Sequence, residues 1–231
     1  MKRHGKGQGR PSVLIFDLDG TLVDSMGELG EMFSNLLAET HAIPRDLSNE
    51  VYFALAGVGP KRQFETVLHA AGLPLTSVDA LTRTFFERTQ AIVPKPFPDV
   101  LDVLQAFDAD RFEMFISSGG RTEYARIRAE HGGIAGFMRL ILGTDEEVPG
   151  MAKGPGHFAL FADALGISAE ALSGRAWFIG DGPFDMQVAR EAGIFALGRL
   201  TGDNGQQLRQ AGADVLVSDL REVRALLQGA P

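Results

Sequence analysis

Cysteine is absent from the 231 residues, which excludes disulfides, thiolate nucleophiles and sulfur-ligated metal sites. A chain with no thiol to oxidise suits a reducing cytoplasm, the expected compartment. Positive charge is in deficit: 22 Lys and Arg against 30 Asp and Glu leave a net charge of −8. A nucleic-acid binder would carry a basic face, so no nucleic-acid partner is expected. An anionic substrate must therefore be drawn in by a local site, not by the surface as a whole. Long apolar runs are missing too: none approaches the ~20 residues of a membrane span, and no membrane association is expected. The basic opening Met1-Lys-Arg-His-Gly-Lys-Gly-Gln-Gly-Arg10 has no hydrophobic segment behind it, so it reads as a flexible tail over 1–11, not a secretory signal. What remains is ordinary globular composition, 45% hydrophobic and 23% charged, enough for one large domain or a core with a smaller companion.

The stretch Ser12-Val-Leu-Ile-Phe-Asp-Leu-Asp-Gly-Thr-Leu-Val-Asp-Ser25 organises the rest. Val13 to Phe16 read as a strand buried on both faces, as in a parallel sheet. Asp17 and Asp19 then fall just past its carboxyl end, where open α/β sheets place ligands. Gly20 permits the tight turn. Two carboxylates so close repel unless a cation sits between them. A hard divalent ion such as Mg²⁺, which takes oxygen ligands, is the natural partner.

From Met26 the periodicity is helical, with Leu29, Met32, Phe33, Leu36 and Leu37 on one stripe and a helix expected to about Thr40. Further helices are expected near 48–55, 61–71 and 77–92, separated by Pro44, Gly57-Val-Gly-Pro60 and Gly72-Leu-Pro74. No strand pattern occurs between 26 and 93, so this segment reads as an all-helical insertion, with Pro94-Lys-Pro-Phe-Pro98 as a stiff return linker unable to join a helix or a ladder. Beyond it, strands at 113–116, 140–143, 176–179, 195–197 and 215–217 alternate with helices at about 99–107, 122–131, 156–165, 184–192 and 220–228. That alternation predicts an α/β fold with a doubly wound parallel sheet. The expected domains are 12–25 with 94–231 as the α/β core, and 26–93 as a helical companion.

Three later strand ends carry polar residues. Ser117-Ser118-Gly-Gly120 offers hydroxyls and free N–H groups ahead of a helix, an anion site in outline. Lys153 stands in the loop Met151-Ala-Lys-Gly-Pro-Gly156, and Gly180-Asp-Gly-Pro-Phe-Asp185 places Asp181 and Asp185 around a helix start. The five histidines, at 4, 41, 69, 131 and 157, lack metal-ligand spacing and read as ordinary surface or core residues. No apolar stripe announces an interface, so monomer and homodimer are both open.

In this order the motifs resemble those of the haloacid dehalogenase superfamily, in its phosphoglycolate-phosphatase-like branch: Asp17 to Ser25 as the first motif, Ser117 the second, Lys153 the third and Gly180 to Asp185 the fourth. The resemblance covers nearly the whole chain from about residue 12 and likens 26–93 to that branch's cap domain. It implies a phosphatase acting on a small phosphorylated metabolite, with Asp17 as nucleophile and Asp19 as general acid and base. It further implies Mg²⁺ held by Asp17, the Asp19 carbonyl and Asp181, with Asp185 orienting that shell or holding Lys153. Ser117, the Ser118 N–H and Lys153 would bind the phosphoryl oxygens, and cap residues Arg45, Lys61 and Arg62 a further anionic group of the substrate.

Two departures stand out. The family's Lys-Pro-x-Pro becomes Lys153-Gly-Pro-Gly156, which predicts a looser loop, and Gly119-Gly120 replace bulkier polar residues, which bears on substrate identity. Rival readings are a phosphosugar mutase of the β-phosphoglucomutase type, a phosphonate hydrolase using Lys61, a dehalogenase, which would not need Asp19, and a phospho-accepting receiver domain, which would be about half as long.

Overall fold

A computed structural model describes residues 10–145 and 148–229; the expected tail at 1–11 lies largely outside them. Six strands form one sheet: β1 (Val13–Phe16), β2 (Glu113–Ser118), β3 (Leu140–Gly143), β4 (Ala176–Gly180), β5 (Phe195–Arg199) and β6 (Val215–Val217). Their spatial order is β3-β2-β1-β4-β5-β6, and every pairing is parallel. All four residues of β1 are buried, as a central strand covered on both faces requires.

Register places the chemistry. Phe16 pairs with Ile116 on one side and Ile179 on the other, so the residues that follow each strand emerge side by side. Because the order reverses across β1, the crossovers leave in opposite directions and open a crevice at the carboxyl edge.

Side chains alternate across the sheet and feed two cores. Leu14, Phe16, Met114 and Ile116 face α5 (Val100–Ala109), α6 (Thr122–His131) and α11 (Leu220–Gly229). Val13, Ile15, Phe115 and Phe178 face α7 (Pro155–Leu165), α8 (Ala169–Ser173), α9 (Pro183–Glu191) and α10 (Gly205–Ala211). Helices α8 and α10 are additions to the expected set. Each is too short, five and seven residues, to show a full helical period in sequence.

The insertion consists of α1 (Met26–His41), α2 (Arg45–Ala54), α3 (Pro60–Ala70) and α4 (Val78–Thr89). It has its own core, in which Phe33 stacks on Phe64 at 4.4 Å and Phe85 meets both rings edge-on. The proline-rich return segment differs from expectation. Asp24 N–H donates to the Lys95 carbonyl at 2.9 Å and Phe97 N–H to the Leu22 carbonyl at 3.2 Å. An antiparallel bridge thus joins Val23 to Pro96, because the residues between the prolines supply the groups that proline lacks. The two connections to the insertion therefore lie side by side. Among the described residues, no helix is long and apolar enough to cross a membrane.

Candidate active site

Four carboxylates and one ammonium gather at the crevice. Asp17 follows β1 and is only 3% exposed. Lys153 Nζ lies 2.5 Å from Asp17 Oδ1 and 2.6 Å from Asp185 Oδ1. The second contact is an ion pair without hydrogen-bond alignment, since Asp185 Oδ1 is buried with no hydrogen-bond partner. Asp185 Oδ2 accepts the Gly182 N–H at 3.0 Å, closing the first turn of α9. Asp181 follows β4 and accepts a hydrogen bond from Thr21 Oγ1 at 3.1 Å.

The turn after β1 is built around this group. Gly20 has φ +83°, and a Cβ there would sit 2.2 Å from Asp181 Oδ2. Conformation and space both demand glycine.

The electrostatics are unbalanced. Burial, together with Asp185 and Asp181, holds the Asp17 carboxyl well above its ordinary value despite Lys153. Burial and then Asp185 push Asp181 up to about 7. Burial would lower Lys153, but Asp17 and Asp185 outweigh it and raise it. One ammonium therefore faces three buried carboxylates whose oxygens lie within 4.8 Å of one another. All-oxygen donors with excess negative charge fit a hard divalent cation.

Asp19 stands apart. Its side chain accepts Ser25 Oγ–H at 2.7 Å and Arg128 Nη1–H at 2.9 Å on each oxygen. Asp17, Asp19, Ser118, Gly119, Gly120 and Arg128 line a cavity of about 60 Å³, roofed by Tyr52, Phe85 and Phe86 of the insertion. That roof is pressed close. A Cβ on Gly182 would lie 2.2 Å from the Ala56 carbonyl oxygen, and one on Gly119 would lie 2.7 Å from that of Gly57. A larger cleft of about 320 Å³ lies beyond, lined by Lys61, Arg83, Arg121 and Asp145, and touches none of the clustered carboxylates.

A family model described as haloacid dehalogenase-like hydrolase matches residues 14–198. The chain belongs to that family. Among the relatives of this haloacid dehalogenase-like hydrolase, a phosphoglycolate phosphatase from Caulobacter vibrioides is 27% identical over 92% of this chain and 89% of its own length. A validoxylamine A 7'-phosphate phosphatase from Streptomyces hygroscopicus is 26% identical over 92% and 95% respectively. The solved structure of a haloacid dehalogenase-like family hydrolase from Streptococcus pneumoniae shares the fold, with a TM-score of 0.76 at 24% identity, covering 95% of this chain and 99% of that one.

Measured against the sequence reading, the hydrolase's fold brings Asp17, Lys153, Asp181 and Asp185 into one cluster and sets Asp19 and Ser118 at the adjoining cavity. It does not bring in Arg45 or Arg62. Both are exposed and line neither the cavity nor the neighbouring cleft, and Arg45 bonds Asn35 within the insertion. Lys61 pairs with Asp79 at 3.2 Å and borders only the outer cleft.

Ser117 arrives at the strand end, but fully buried and with its hydroxyl engaged. His157 Nε2 donates to the Gly143 carbonyl at 3.1 Å, which leaves Nδ1 to accept the Ser117 hydroxyl proton at 2.8 Å. Burial lowers His157 to about 4, so it accepts as the neutral ring.

The glycines of the Lys153 loop serve contact, not slack. Gly154 has φ +104°, and a Cβ on Gly156 would meet the Gly150 carbonyl at 2.1 Å. Sequence reading missed Thr21, Arg128 and His157. Thr21 alone carried a signal, since it lies inside the first motif.

Proposed function

We propose that this hydrolase is a Mg²⁺-dependent phosphatase that cleaves the phosphomonoester of a small cytoplasmic metabolite, phosphoglycolate-like in size, through an aspartyl-phosphate on Asp17. The observation that carries the proposal is the buried cluster itself: Asp17 beside Lys153, Asp181 and Asp185, opening on a cavity that holds Asp19. The phosphatases among the relatives support the same reading.

Asp17 Oδ attacks phosphorus as the ester P–O bond breaks. Asp19 gives its proton to the leaving oxygen, which departs as the alcohol. A water then attacks phosphorus and passes its proton to Asp19. The Asp17–phosphorus bond breaks, releasing inorganic phosphate and restoring both residues. Lys153 and the backbone N–H groups of Ser118 and Gly119 take the phosphoryl oxygens, where negative charge builds. Ser117 joins them only if its hydroxyl turns away from His157. The Asp17 carboxylate, the Asp19 carbonyl and Asp181 would hold Mg²⁺, with Asp185 positioning Lys153; when bound, the ion supplies Lewis-acid polarisation of the phosphoryl group.

In this reading, residues 12–25 and 94–231 are the catalytic domain and 26–93 is a cap that closes the site to water. A β-phosphoglucomutase-type reaction would use the same residues. A cavity of about 60 Å³ is far below the several hundred Å³ of drug-sized ligand sites, which favours a smaller substrate than a hexose.

The test is phosphate release from p-nitrophenyl phosphate and a metabolite panel, with Mg²⁺ and with excess chelator, in wild type and Asp17→Asn. Metal-dependent release abolished by the substitution is expected. Undiminished turnover by Asp17→Asn would refute the mechanism.

A further inference from the structure

The carboxylate cluster is approached from more than one direction. A cleft of about 380 Å³ reaches Asp181, with Phe53 and Ala56 on the insertion's side and Thr201, Asp203 and Gln207 on the core's. Among the described residues, only Met26 lines both this cleft and the cavity over Asp17. A Cβ on Gly20 would lie 2.8 Å from Met26 Cγ and 2.2 Å from Asp181 Oδ2, so the thioether chain packs beside that carboxyl and divides the two spaces. Asp181 is 4% exposed, and its Oδ1 accepts the Thr21 hydroxyl. Its Oδ2 accepts no hydrogen bond from another described residue. Asn204 Nδ2 donates to the Asp181 backbone carbonyl at 2.9 Å and to that of Arg199 at 3.1 Å, which ties the loop carrying Asp203 to the strand end carrying Asp181.

Charge sorts the two approaches. The charged residues lining this cleft are Asp181 and Asp203, both acidic. The cleft beyond Phe86 instead sets Lys61, Arg83 and Arg121 against Asp79 and Asp145. It adjoins the cavity over Asp17 through Pro60, Phe86 and Gly119, which line both. A local field of either sign gathers ions of the other, so an anionic ester is drawn to the basic cleft and a cation to the acidic one. We infer that the divalent cation enters and leaves the cluster through the acidic cleft, past Asp203 to Asp181, while the ester enters from the basic side. The inference rests on the metal-dependent reading above and adds a route to it. Separate doors let the ion exchange while the roof is down over the cavity. A shared door would make a seated substrate trap the ion or bar it.

The test follows Mn²⁺, which takes the same oxygen donors, into and out of the protein by stopped flow against a fluorescent chelator. The variants are Asp203→Lys, which reverses the charge at the acidic mouth, Gln207→Trp, which fills that cleft, and Thr82→Trp, which fills the basic one. Each is also assayed for kcat/KM on p-nitrophenyl phosphate at saturating Mg²⁺. Asp203→Lys should slow Mn²⁺ uptake about 10-fold at low salt, with the difference fading as salt is added. Gln207→Trp should slow uptake and release together and leave the equilibrium affinity unchanged. Neither should alter kcat/KM, whereas Thr82→Trp should lower kcat/KM and leave the Mn²⁺ rates alone. Mn²⁺ rates that respond to Thr82→Trp and not to Gln207→Trp overturn the inference, since the ion then shares the substrate's door. Rates unmoved by Asp203→Lys and Gln207→Trp in a metal-dependent phosphatase overturn the route alone. Wild type that binds no Mn²⁺ at equilibrium and releases phosphate without metal overturns the metal-dependent reading, and this inference with it.

Discussion

Replacing His157 by Gln should remove a pH dependence of folding that the wild-type protein carries. His157 is fully buried between Ser117 and Gly143, and burial brings its pKa from 6.5 to about 4, with the nearby Lys153 ammonium adding a smaller push in the same direction. The folded pKa lies below the unfolded one, so as pH falls through 6.5 the unfolded chain takes up the proton first. Stability is then lost progressively down to about pH 4, where the folded state titrates as well. A gap of about 2.5 units corresponds to about 3.4 kcal/mol in full, of which about 2 kcal/mol is already lost at pH 5.

Asp17 and Asp181 act in the opposite sense, since their raised pKa values favour folding as pH falls, but they are common to both proteins and cancel in the difference. The assay is urea unfolding followed by circular dichroism between pH 5 and 7.5, with chelator present, for wild type and His157→Gln. At pH 7 the variant is less stable, having lost two buried hydrogen bonds. By pH 5 the gap should have narrowed by about 2 kcal/mol. Parallel stability curves across that range would refute the neutral, proton-accepting histidine and the orientation it gives Ser117.

Closure of the insertion over the site can be tested by bulk alone. Gly182→Ala places a methyl 2.2 Å from the Ala56 carbonyl oxygen at an unstrained φ of −99°. The insertion must then stand off, and kcat/KM should fall about 100-fold, as 1 Å misplacements can cause, with the far-ultraviolet spectrum unchanged. Arg199→Met removes one partner of a buried ion pair in which Asp99 takes both guanidinium nitrogens at 2.8 and 2.9 Å and also accepts the Leu220 N–H. The stranded carboxylate should cost about 3–5 kcal/mol, read as a lowered urea midpoint with an unchanged slope.

Most of the fold was legible because its signals are local. Buried β-branched runs, 3.6-residue periodicity and proline or glycine breaks announced six strands and nine of the eleven α-helices found among the described residues, in their observed order. The two missed helices are too short for a period to show. The turn after β1 was legible because Asp17, Asp19 and Gly20 lie within four residues and carry their own steric logic. The cations of the insertion lacked such a local signal. Arg45 and Arg62 sit near turns that could face the crevice, but which face of a helix meets the core depends on packing, and here Gln63 and Phe64 turn inward instead.

The sequence by itself determined the doubly wound sheet, the helical insertion and the strand ends that carry Asp17 and Asp181, since each follows from residues within one turn or one strand of it. Only the tertiary structure decided how those groups are charged and occupied. The Arg128 pairing with Asp19 spans 109 positions in sequence, and the Ser117 hydroxyl donates to a histidine 40 residues away. No local pattern encodes contacts at that range. Packing creates them by burying polar groups that must then find partners.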